Sequence, residues 1–170
     1  SKADIMATFM ERTLEFAAKN GKMAMINMHS WMFLSSYEKL RGVILDNYNI
    51  DSLLHLGPRT FDEISGEVVQ NAAFIVANHR PSEFGGIYYR LVAGGNCHSK
   101  EMMFLNPEQI DTEKRDQQDI IFSNVSQKNF EKIPGYKISY WASEKAKNNF
   151  LYKKFLSDNI HNLQGIITGN

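Results

Sequence analysis

Several absences bound this chain of 170 residues before any motif is read. It holds one cysteine, Cys97, so no internal disulfide framework braces it, and a reducing cytoplasm is its natural compartment. No apolar run approaches the ~18 residues needed to cross a bilayer, and the N-terminus lacks the basic, apolar and small-residue order of a secretory leader. A surplus of one charge is missing too. Nineteen Lys and Arg balance nineteen Asp and Glu, which removes the case for nucleic-acid binding by a strongly basic whole and leaves only local patches. Glycine-rich phosphate loops are absent, because Gly85-Gly86 and Gly94-Gly95 are isolated pairs that fit neither GxGxxG nor GxxxxGK(S/T). The histidines (His29, His55, His79, His98, His161) lie far apart, and Cys97-His98 has no partners at zinc-site spacing, so no metal centre is expected. Ser30 follows a predicted strand but lacks a GxSxG elbow, which excludes that type of nucleophile.

What is present is enough apolar residue, 43%, for one core. The spacing predicts a helix over 4–19, with Ile5, Phe9 and Phe16 along its stripe and Met6, Met10, Leu14 and Ala17 widening it, stopped by Asn20-Gly21. The run from Lys22 to Met28 does not alternate and reads as a strand covered on both faces. Ser35 and Glu38 have capping-box spacing ahead of a helix that buries Tyr37, Leu40, Val43 and Ile44. Strands are expected over 50–56, 72–77 and 86–92. The fold class is therefore α/β with part of a parallel sheet, its last strands antiparallel at the edge. A boundary is expected near 93–96, dividing 1–93 from 94–170. Beyond it a polar helix (107–116), a short strand (120–125), a helical turn (129–133) and a longer helix (141–156) form a mixed α+β extension.

Charge is uneven along that extension. From Lys128 to Lys154 seven lysines face Glu131 and Glu144, a local excess of five, interleaved with Phe130, Tyr136, Tyr140, Trp141, Phe150 and Tyr152. Such a stretch serves either as a phosphate contact or as a solvated helix face over an aromatic core.

The order of pieces DIMATFMERTLEF, KNGKMAMINMHSWMF, YEKLRGVIL and IDSLLHLGPRTFDEISGEVVQNAAFIVAN resembles the second half of the catalytic domain of gamma-class N6-adenine DNA methyltransferases. MHSWMFLSSYEKLR, NFEKIPGYKISYWASEK and the terminal QGIITGN extend the resemblance to the large methyltransferases of bacteriophage-exclusion and restriction-modification systems. It implies the C-terminal half of a Rossmann-like, S-adenosylmethionine-dependent sheet with an antiparallel hairpin, leading after residue 93 toward a target-recognition domain. It also implies double-stranded DNA, the remaining domains of one polypeptide and other defence-system subunits as partners, without a membrane.

The family's FxGxG-like donor loop and its NPPY-type catalytic motif do not occur in this sequence. The chain thus reads as a piece of a larger enzyme, carries no catalytic residue of its own, and is expected neither to bind the methyl donor nor to methylate DNA when isolated. By the same resemblance Phe9 borders the cofactor pocket and Phe61, in the hairpin loop, packs against the extruded base. Lys145, Lys147, Lys153 and Lys154 would lie along the DNA path and contact its backbone. The rival readings are a non-catalytic DNA-specificity or scaffolding module and part of a fused restriction-modification enzyme.

Overall fold

The computed structural model describes residues 5–62, 69–82, 85–107 and 120–150. The expected polar helix, apart from its first residue, and the terminal segment with QGIITGN lie outside them. Helix α1 (Ile5–Phe16) leads into strand β1 (Lys22–Met28), and two short 3-10 turns (His29–Met32 and Ser35–Tyr37) precede α2 (Glu38–Asn47). Strands β2 (Asn49–Gly57), β3 (Asn71–Ala77) and β4 (Gly86–Arg90) follow, then α3 (Cys97–Leu105), β5 (Ile121–Val125), α4 (Lys128–Glu131) and α5 (Glu144–Asn149).

The five strands form one mixed sheet in the order β1-β3-β2-β4-β5. β3 runs antiparallel to both β1 and β2, so those two point the same way, and β4 lies parallel to β2. β5 closes the other edge antiparallel to β4. The α/β class holds, but the hairpin strand β3 sits inside the sheet rather than at its edge. β1, at the edge, is also not covered on both faces: Met23 is buried while Ala24, Ile26 and Met28 are exposed. α1 and α2 pack on the other side and α3 lies over Leu54, Leu56 and Tyr89; beside it Ala24, Ile26, Ser52, Leu54, Ala73 and Ile75 line an open, shallow trough of about 350 Å³.

α1 lays Ala7, Met10 and Leu14 onto the core, at the three-to-four spacing of a buried stripe. The stripe expected to be buried, Ile5, Phe9 and Phe16, faces outward instead. The helix is apolar on two sides and the sheet covers only one. Asn20-Gly21 does end the helix: Asn20 adopts φ +63° and donates its N–H to the Asn78 carbonyl at 2.9 Å, and Asn78 returns one to Gly21 at 2.7 Å. The Ser35/Glu38 capping box does not form. Ser35 opens a 3-10 turn with no side-chain cap, and α2 buries Leu40, Arg41, Ile44 and Leu45 while Val43 is exposed.

A capping box exists elsewhere, at the start of α3, a helix the sequence reading missed. Asn96 Oδ1 accepts the Ser99 N–H at 2.7 Å and Ser99 Oγ accepts the Asn96 N–H at 3.0 Å. Asn96→Ala is expected to cost about 1 kcal/mol in urea unfolding, and an unchanged midpoint would show that the cap contributes nothing. The expected helix over 141–156 is, among described residues, the shorter α5, capped by Ser143 Oγ, which accepts from the Ala146 N–H at 3.2 Å.

Residues 120–142 return to the sheet built by the first half. β5 extends it, and Phe130, Ile138 and Tyr140 join the same core as Trp31, Ile44, Leu53 and Tyr88. Gln127, itself buried, accepts the Ile50 N–H and donates to the Tyr48 carbonyl at 3.0 Å. Two hydrogen bonds thereby fix the entry to β2.

Candidate functional site

Because β1, β2 and β4 run the same way, their C-terminal ends share one edge of the sheet, where open α/β sheets bind their ligands. Polar and aromatic side chains gather there. His29 is the first residue after β1, His55 lies near the end of β2, and Arg90 ends β4. Gly57, at φ +69°, closes β2 beside a register shift, and an added Cβ would meet Val92 Cγ1 at 3.0 Å. The strand therefore ends in a kink that only glycine fits without strain.

His29 Nδ1 and His55 Nε2 are 2.7 Å apart, and His55 Nδ1 lies 3.1 Å from Tyr140 Oη. Proton economy assigns the chain's direction. If Tyr140 donates to His55 Nδ1, then His55 Nε2–H donates to His29 Nδ1 and every member has a partner; His29 is left with Nε2–H as its free donor. The reverse order would leave the Tyr140 hydroxyl proton without an acceptor. Burial pushes His55 down to about 3, helped by the nearby positive potential of His29, Arg90 and Lys100. Burial also lowers His29, so both rings are neutral near pH 7. Burial raises the Tyr140 and Tyr88 hydroxyls above their ordinary range, keeping both protonated.

Trp141 stacks on His55 with centroids 6.0 Å apart and planes 28° from parallel, and Phe33 meets it edge-on at 5.7 Å. The Arg90 guanidinium carbon is 5.6 Å from the centre of the Trp141 ring. Trp141 remains 38% exposed, so the group opens to solvent through an indole face. Such an arrangement can hold a planar or anionic group by stacking and hydrogen bonding. Among the described residues no group of three or more His, Cys, Asp or Glu could hold a metal ion, and no helix is long and apolar enough to cross a membrane.

The residues singled out from sequence are spread differently. Phe9 stands on the outer side of α1 and is 61% exposed. Phe61 is exposed in the loop that leaves the C-terminal end of β2, the edge just described. Lys145 is exposed, whereas Lys147 is 4% exposed with its Nζ 3.3 Å from Glu144 Oε1, which takes it out of the set free to reach a phosphate. Lys153 and Lys154 lie outside the described residues. The sequence reading passed over His55, Arg90 and Tyr140 as functional residues. One signal was available: His29 and His55 both stand at the ends of predicted strands, INMH and LLHL.

The Eco57I restriction-modification methylase family model matches residues 1–61. The adenine-specific methyltransferase BrxX of Escherichia coli O9:H4 (strain HS) is 41% identical over 151 residues, which is 89% of this chain and 12% of that protein. The likeness is to adenine-specific methyltransferases. PglX of Lacticaseibacillus casei (strain Zhang), also an adenine-specific methyltransferase, is 40% identical over 171 residues, covering 100% of this chain and 14% of that protein. The chain thus spans only about an eighth of the length of these relatives. A solved structure with a partly similar course is the M protein of the type I restriction enzyme EcoKI, 14% identical, TM-score 0.43, covering 52% of this chain and 20% of that one.

Proposed function

We propose that the polypeptide to which this chain belongs transfers a methyl group from S-adenosylmethionine to adenine N6 in double-stranded DNA, in the cytoplasm, as part of a host-defence system with further subunits. The observation that carries the reading is the run of elements α1-β1-α2-β2-loop-β3 in the order the resemblance implied, in a chain 41% and 40% identical to two adenine-specific methyltransferases. The division near residue 93 belongs to the same proposal as a boundary in the sequence, with residues 120–142 packed back on the first half's sheet and those that follow leading toward target recognition.

The donor supplies the methyl group. Of this chain's residues Phe9 fits a place beside it, as an aromatic ring left outside the chain's own core with Ile5 and Phe16 on the same helix. Phe61 would recover part of the unstacking cost of a base brought out at the C-terminal edge. The remaining domains of the polypeptide would cover the open apolar side of β1 to β3, since an unpaired sheet edge and exposed apolar surface invite a partner.

The test uses the full-length protein with its partner subunits, labelled donor and host DNA, and mass spectrometry of the nucleosides. N6-methyladenine is the expected product. A methylated cytosine, or no methylated base in DNA exposed to the complete system, would sink the proposal. Calorimetry on the isolated 170-residue chain should show no donor binding at micromolar concentrations, and micromolar affinity there would place the donor site within this chain.

A further inference from the structure

Among the described residues, Arg90 at the C-terminal edge has no counter-charge. Arg90 is half-buried, its Nε is shielded from solvent without an acceptor, and among the described residues no carboxylate pairs with it. Withdrawing guanidinium donors from water without acceptors is unfavourable, and the cost is recovered only when an acceptor arrives. The described residues around it offer none. Both histidines are neutral, and the charged neighbours acting on His55 are cations, Arg90 and Lys100. Lys100 cannot serve as a free arm, since its Nζ already donates to the carbonyls of Leu91 at 3.2 Å and Gly94 at 2.6 Å. Trp141 holds the Arg90 guanidinium from one side and leaves its fork to be met from the other.

We propose that Arg90, braced by Trp141, is a receptor for a phosphate group, and that the group comes from the backbone of duplex DNA. The chemistry is that of a planar guanidinium donating to phosphate oxygens. A backbone source is favoured over a free phosphate because the site has no glycine-rich loop of backbone amides to enclose a small anion, and because it opens at the edge from which the Phe61 loop leaves. It also moves the phosphate contact from the lysines of α5, one of which is tied to Glu144, to the end of β4. The inference rests on the proposed function for the identity of the DNA, and on the structure for the anion site.

The experiment measures binding of a labelled duplex to the full-length protein by fluorescence anisotropy across a salt series, for wild type, Arg90→Gln and Arg90→Lys. Arg90→Gln is expected to weaken binding about tenfold and to reduce the slope of log affinity against log salt by about one, with Arg90→Lys retaining most of both. Thermal midpoints of the variants should change little, because among the described residues Arg90 has no ion pair to lose and only its contact with Trp141 is altered. Unchanged affinity and slope in Arg90→Gln would overturn the proposal. A lowered midpoint with unchanged duplex binding would also overturn it, by assigning Arg90 to an ion pair with another part of the polypeptide. Inorganic phosphate titrated against tryptophan fluorescence separates the sources. A saturable, Arg90-dependent change alongside unaltered duplex affinity would keep the phosphate chemistry and reject DNA as its source. Methyl transfer is scored separately: Arg90-dependent duplex binding without methylation keeps this inference and fails the enzymatic reading, and methylation with Arg90-independent binding does the opposite.

Discussion

Lowering the pH from 7 to 4 should remove about 3 kcal/mol of folding stability through His55 alone. The ring is held neutral in the fold by burial and by the positive potential around it, down to about 3. In the unfolded chain it takes its proton near pH 6.5. Between those values the unfolded state binds the proton and the folded state does not, so the stability is present above pH 6.5 and is lost progressively as the pH falls toward 3. His29 is lowered by burial and contributes with the same sign. Asp51 acts in a lower window. Burial tends to raise it, but hydrogen bonds from Lys22 and Asn49 outweigh that and hold it below its usual value, so its share is lost only as the pH falls below about 4. A domain with a total of 5–15 kcal/mol responds visibly to a change of this size. Urea unfolding of wild type and His55→Gln at pH 7, 6, 5 and 4 checks it. The wild-type free energy should fall more steeply than the variant's, whose remaining loss in this window comes from His29; parallel curves would mean that His55 is protonated in the fold.

That histidine shows why the site was only partly legible. His29 and His55 are 26 residues apart, and nothing local says that β3 enters between their strands and leaves both C-terminal ends at one edge. Strand existence could be read from β-rich runs, and each expected strand is present within a residue or two. Strand order depends on pairings between residues 14 to 55 apart, from Gly57↔Asn71 to Lys22↔Ala77, that periodicity does not encode. On α1 the difficulty was different: Ile5, Phe9 and Phe16 are as apolar as Ala7, Met10 and Leu14, so the pattern offered two faces and only packing chose. The missed α3 has no broad apolar stripe, and its buried members are Met103 and Lys100, whose Nζ finds its carbonyls only in the folded chain. The basic stretch divides the same way. On α5 Lys145 is solvated and Lys147 buried, a difference set by which side of a single helical turn meets the core.

Arg41 is expected to be the most damaging single position in the chain. Its side chain is fully buried on α2, and the guanidinium reaches three carbonyls: Gly135 from Nε at 2.9 Å and Nη2 at 2.6 Å, and Trp31 at 2.8 Å and Leu34 at 2.7 Å from Nη1. Burial lowers its pKa from the ordinary value, while the nearby Glu38 carboxylate works the other way, and the guanidinium stays charged. Gly135 is shaped for the contact, with φ +75° and an added Cβ only 3.6 Å from Arg41 Nη2. Arg41→Met keeps most of the volume but strands three carbonyls, and should cost about 4 kcal/mol in urea unfolding. Arg41→Lys restores the charge without the planar fork and should recover less than half of that. The clamp also bears on the edge site, because Gly135 lies five residues before Tyr140 and the Ile138 N–H donates to the Met32 carbonyl at 3.0 Å beside it. Freeing that turn loosens the strap that carries Tyr140 onto His55 and Trp141 onto Arg90. The Trp141 emission in Arg41→Met should therefore shift to longer wavelength under conditions where the chain is still folded. A loss below about 1 kcal/mol, or an unshifted spectrum, would mean that the turn is held by its own packing and that Arg41 only fills space.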